Sequence, residues 1–79
     1  MKSPILPIES DLPGLWRHYK GGLYRVHFLA HHSETLEDMV VYEAVDGSSG
    51  YWVRPRSMWE ESVRLPDGRQ VPRFSRIEK

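Results

Sequence analysis

From Leu15 to Tyr19 and from Leu23 to His32, apolar and polar residues alternate on either side of a Gly21-Gly22 pair. This is the pattern of two strands joined by a tight turn, in which glycine supplies positive φ without steric cost. Along the second strand Tyr24, Val26, Phe28 and Ala30 fall on one side and Arg25, His27 and His31 on the other, which predicts one buried face. The turn decides the register, and a shift of one residue moves every side chain to the opposite face. A three-residue loop of Lys20, Gly21 and Gly22, with Gly22 in a bulge, sets Tyr19 opposite Leu23 and His18 opposite Tyr24, so that Trp16 and His18 face inward. A two-residue Gly-Gly loop would place Arg17 opposite Val26 and bury a charge without an evident partner. The bulged turn is therefore the predicted one.

Beyond this hairpin, Ser33 to Asp38 is a polar connection rich in residues that bond their own backbone, and it leads into a β-branched strand from Met39 to Val45. Asp46 to Gly50 forms a loop before a fourth strand, Tyr51 to Arg54, that Pro55 ends. Ser57 to Glu61 suits a short helical turn. Val63 to Leu65, a turn at Pro66-Asp67-Gly68, and Val71 to Phe74 make a last hairpin, with Pro72 implying an edge position. The pattern as a whole predicts a mostly β chain, a small barrel of five or six antiparallel strands with short helical turns.

Length and composition narrow this picture. Seventy-nine residues leave room for one core. The segment 1–13, with Pro4, Pro7 and Pro13, reads as an extended N-terminal arm that Ile5, Leu6, Ile8 and Leu12 could pin to a single domain over 14–79. Three Trp, four Tyr and two Phe are the main material for the core, and no cysteine is present for disulfide or thiolate chemistry. Eleven basic residues balance eleven acidic ones, so no global field draws the protein to nucleic acid or anionic lipid. With neither a leader pattern nor a long apolar run, a cytoplasmic location without membrane contact is the expectation.

Five short pieces point further. R-H-Y-K-G-G at Arg17 to Gly22, H-S-E-T at His32 to Thr35, V-V-Y at Val40 to Tyr42, W-V-R-P at Trp52 to Pro55 and V-P-R-F at Val71 to Phe74 occur in order. In sequence and spacing they resemble the bacterial domain-of-unknown-function family 1653, from Gly14 to Phe74. The resemblance implies an SH3-like barrel and no assigned activity, cofactor or catalytic residue. Trp16 and Trp59 stand where such sequences are expected to carry Tyr and Phe, and both changes keep a large ring.

Four histidines raise the question of a metal, but His27 and His31 lie about 13 Å apart along an extended strand, and His31 and His32 point to opposite faces. No metal or other cofactor is expected. His18 falls on the apolar side beside Tyr24, where its ring needs a hydrogen-bond partner. Hydroxyls in H-S-E-T do not by themselves make a triad, and turn capping explains that motif more simply. Trp52 and Arg54 share one face of the fourth strand, opposite Tyr51 and Val53. A ring beside a guanidinium suits recognition of a peptide, a partner protein or a small ligand, although core packing is the commoner use of a tryptophan. Tyr42 and Trp59 carry the same two readings. The leading expectation is thus a noncatalytic binding module, monomer or weak dimer, using His18, Tyr42, Trp52 and Arg54. The alternative is a nucleic-acid-binding barrel using Arg64, Arg69, Arg73 and Arg76, and a third is a small enzyme built on His18 or the H-S-E-T loop.

Overall fold

The computed structural model describes residues 10–78. The chain forms β1 (Gly14–His18), β2 (Leu23–His31), β3 (Asp38–Ala44), β4 (Tyr51–Pro55), a single helical turn α1 (Arg56–Trp59), β5 (Ser62–Arg64), β6 (Gln70–Pro72) and β7 (Phe74–Glu78). The strands make a five-stranded antiparallel sheet in the order β4-β3-β2-β1-β7 and a two-stranded sheet of β5 and β6. The mostly β, antiparallel reading of the sequence is borne out. Among the described residues no ladder joins β4 to β7, so both are edges, and the closure implied by the SH3-like label is not part of the pairing.

Three local features depart from the pattern expected of the sequence. In the first hairpin Trp16 faces Tyr24 and Arg17 faces Leu23. The amide of Gly21 donates to the His18 carbonyl at 2.7 Å and the amide of His18 to the Gly22 carbonyl at 2.7 Å. The three-residue loop is therefore Tyr19-Lys20-Gly21, one residue earlier than expected, with Gly21 at φ +107° taking the bulge position. Moving a bulged turn by one residue changes the register by two, so Trp16 and His18 keep the predicted face while their partners change.

The second departure lies within β2. Val26 pairs with Tyr42 but Phe28 with Val41, which leaves His27 as an extra residue. A bulge of this kind reverses the alternation beyond it. Phe28 and Ala30 therefore do not continue the buried face begun by Tyr24 and Val26: Phe28 is 56% exposed, and Leu29 packs on the core in its place. Thirdly, Phe74 does not end the last hairpin but opens β7, which returns to pair with β1.

Leu12, Val26, Val40, Tyr42, Trp59 and Phe74 form the core, with Trp16, Tyr24 and Leu29 packed against it. α1 follows directly on Pro55, is anchored by Arg56 bonded to Asp38 at 3.0 Å, and inserts Trp59 into the centre. There Trp59 stacks flat on Phe74 at 3.7 Å and meets Tyr42 at 5.0 Å and Trp16 at 5.8 Å, both at steep angles. Tyr42 and Trp59 are thus both core residues. Of the expected N-terminal arm, Met1 to Glu9 lies outside the described residues. Its last part is docked: Leu12 is buried, its carbonyl accepts from the Trp16 indole at 2.8 Å, and Arg76 donates to the Pro13 and Asp11 carbonyls.

Candidate functional site

The sheet presents its core-side face as a row of rings that are buried or half-buried from β7 to β3 and exposed at β4. Trp52 pairs with Tyr42 and points to the same side. Among the described residues no strand lies beyond β4, and Trp52 is 53% exposed. Tyr42 is 7% exposed, held edge-on by Tyr24 at 5.6 Å. Arg54, two residues beyond Trp52, donates from Nε to the Tyr42 hydroxyl at 3.5 Å and lays its guanidinium over Phe74 at 5.5 Å. His18 meets the same Phe74 ring from β1 at 4.9 Å and Tyr24 at 6.4 Å.

The four side chains expected to bind a ligand are therefore on one face, but they do not make one cluster. Trp52 and Tyr42 line a groove, Arg54 touches the far end of Tyr42, and His18 lies across Phe74, lining a separate shallow cleft with Leu65, Val71 and Pro72. His18 also serves the backbone, because its Nδ1 accepts the Lys20 amide at 3.1 Å and closes the first turn. Burial, then the positive charges of Arg54, Arg73 and Lys20, hold its pKa below the ordinary 6.5, so the neutral ring is favoured.

The groove has a volume of about 680 Å³ and is walled by Trp52, Tyr42 and Tyr24. Leu23 and Gly22 of the first hairpin and Asp46 of the β3–β4 loop complete its rim. Gly22 allows the Tyr24 ring to lie against the turn, because a Cβ there would stand 3.0 Å from that ring. Asp46 accepts the Ser48 amide at 2.9 Å, and hydrogen bonds from Ser48 lower its pKa, so the carboxylate at the rim is firmly ionised. Sequence reasoning missed Asp46 as a site residue. It took Tyr24 for core and Gly22 for turn alone. The signal was present in the aromatic of β2 placed just after a glycine pair, which lets the ring fold back over the turn.

The C-terminal arginines are dispersed. Arg69 pairs with Asp67 at 2.7 Å and Arg73 with Glu61 at 2.8 Å, while Arg76 lies over Trp16 at 4.7 Å and bonds two carbonyls. Arg64 sits in the β5–β6 hairpin facing Gln70. The H-S-E-T motif is a self-capped turn: His32 Nδ1 accepts the amides of Glu34 and Thr35 at 3.1 and 3.2 Å, and Leu36 takes φ +65° behind it. On the opposite face of the sheet His27 bonds Glu43 at 2.7 Å under the edge of Tyr51. Among the described residues no three metal-ligating side chains gather, and no helix is long and apolar enough to cross a membrane.

No curated protein matches the chain. Among solved structures, a crystal structure of a DUF1653 protein from Bordetella bronchiseptica is 37% identical and superposes with a TM-score of 0.72, over 82% of this chain and 85% of that one. The family profile described as "protein of unknown function (DUF1653)" matches residues 14–76, from the first residue of β1 to the middle of β7. The chain belongs to the DUF1653 family.

Proposed function

We propose that the protein is a noncatalytic binding module that holds a small organic ligand in the groove beneath Trp52. The observation that carries this reading is the half-exposed Trp52, cross-strand neighbour of Tyr42, lining an open groove together with Tyr42 and Tyr24. A large ring left uncovered at the end of an otherwise buried aromatic row is apolar surface available to a ligand. The volume of about 680 Å³ lies within the ~300–1,000 Å³ typical of small-molecule sites. Outside the groove, Arg54 donates to the Tyr42 hydroxyl and His18, in its separate cleft, meets the Tyr24 ring edge-on at 6.4 Å.

The test is an amide NMR titration of the isotope-labelled protein with a set of small fragments of positive, neutral and negative charge. Shifts at Gly22, Ala44, Val45 and the Trp52 indole, lost in Trp52→Ala, are the expected result. Shifts confined to other parts of the chain, or unchanged in the variant, overturn the reading. The C-terminal arginines do not support a second reading of equal weight, because three of the four are already engaged by protein partners. Shifts at Arg64 to Arg76 on adding short RNA or DNA, weakening steeply with salt, would restore it.

A further inference from the structure

We infer that the groove selects an alkylated ammonium group, and that its ligand is a small solute carrying a quaternary ammonium. This rests on the groove being a binding site and adds the class of ligand. The chemistry of the walls is one-sided. Among the described residues, three aromatic rings and one carboxylate line the groove together with Leu23, Ala44, Val45 and two serines, with no Lys, Arg or His side chain. Aromatic faces carry partial negative charge and attract a cation placed over them. Tyr24 packs edge to face on the buried Tyr42, at 5.6 Å and 77°, so the ring surface open to a bound group is that of the half-buried Tyr24 and the half-exposed Trp52.

Two further points restrict the cation. A primary ammonium carries three donors that must be satisfied on leaving water. Among the described residues the one ionised group lining the groove, the Asp46 carboxylate, stands at an exposed rim and is already bonded to the Ser48 amide. A quaternary ammonium has no donor to satisfy, is weakly hydrated, and presents methyl groups that suit Leu23, Ala44 and Val45. Asp46 then supplies long-range charge complementarity without a hydrogen bond. Arg54, on the same face of the sheet, stays out of the groove, held at the Tyr42 hydroxyl and over Phe74. The groove, open to solvent and about 680 Å³ in volume, admits a whole small solute.

The experiment compares choline with 3,3-dimethyl-1-butanol, which has the same shape and no charge, by NMR titration of the full chain. Choline is expected to bind about tenfold more tightly, with shifts at Gly22, Ala44 and the Trp52 indole. Asp46→Asn, which keeps an acceptor for the Ser48 amide, should weaken choline severalfold and leave the neutral probe unchanged. Trp52→Ala should remove both, with an unaltered far-UV circular dichroism spectrum as the check on folding. Equal binding of the two probes, or binding of an anionic fragment at the same residues, overturns the ammonium assignment while leaving the binding module intact. A peptide bearing trimethyl-lysine that binds much more tightly than choline overturns the assignment to a small solute. Silence of the groove towards fragments of every charge removes both proposals.

Discussion

Trp59 and Trp16 touch edge to face, yet their indole N–H groups have opposite fates, and this sets up an inverted expectation for two conservative substitutions. Trp59 is 1% exposed, and its Nε1 meets no acceptor among the described residues. Leaving a buried donor unpaired costs about 1–3 kcal/mol. Trp59→Phe removes that donor and keeps a ring to stack on Phe74. It opens a void of a few tens of Å³, which at about 24 cal/mol per Å³ costs ~1 kcal/mol, with a further ~1 kcal/mol of lost transfer energy. The two sides nearly cancel, and the variant is expected within about 1 kcal/mol of the parent. Trp16 is less buried, but its indole donates to the Leu12 carbonyl and its face receives Arg76. Trp16→Phe forfeits the bond, orphans the carbonyl and loosens the buried Leu12, for an expected loss of about 2 kcal/mol. Urea unfolding followed by far-UV circular dichroism, which does not depend on the replaced fluorophores, measures both. A loss above about 3 kcal/mol for Trp59→Phe together with a negligible one for Trp16→Phe would refute the reasoning.

Other expectations follow from the turns. Gly22→Ala should cost about 1–2 kcal/mol by pressing a methyl on the Tyr24 ring and should shift that ring's NMR signals, whereas Gly21→Ala should cost a similar amount through its φ of +107° alone and leave Tyr24 undisturbed. The identical response of Tyr24 to both would sink this distinction. His18, held below 6.5, favours the neutral ring in the folded state. Its contribution to stability is therefore complete above pH 6.5 and is lost as the pH falls from there through the folded pKa. His18→Asn keeps an acceptor for the Lys20 amide, so urea midpoints from pH 8 to pH 5 should fall more for the parent than for the variant, and parallel curves would contradict the assignment. His32→Ala should lose about 1 kcal/mol with the two amide bonds to Nδ1, most of it regained in His32→Asn, as for a helix cap. Equal melting of the two variants would show that the ring does not cap the turn.

Much of the fold was legible because the strands are bounded by glycine and proline at positions where the chain must turn or stop. Gly21, Gly68 and Pro55 mark their boundaries without reference to anything distant. The one-residue displacement of the first loop was not legible, since Tyr19-Lys20-Gly21 and Lys20-Gly21-Gly22 both offer a glycine for the bulge. Nor was the extra residue at His27. Its alternation looks regular in the sequence, and only the pairing with β3 and the bond to Glu43 reveal that Phe28 has been turned outward. β7 was hidden for a different reason: Phe-Ser-Arg-Ile-Glu alternates, but its partner lies at the other end of the sheet. Of the site, the common face of Trp52 and Arg54 follows from spacing alone. That Trp52 stands half uncovered could be known only once β4 proved to be an edge, and the gathering of Tyr24 and Asp46 around it depends on two loops that approach in space.

The union of β7 with β1 has a consequence for how the protein is made. Arg76 reaches the Pro13 carbonyl across 63 positions of sequence, and Phe74, on the same strand, is the ring on which Trp59 stacks. A chain emerging from the ribosome can assemble the meander of β1 to β4 from neighbouring segments. It cannot seal the aromatic centre until residue 78 has cleared the exit tunnel, because the ladder that shields it is of the slow, long-range kind. Until then Trp16, Tyr42 and Trp59 stand open to whatever surrounds the nascent chain, and synthesis stalled shortly before Phe74 should release a polypeptide that proteases degrade.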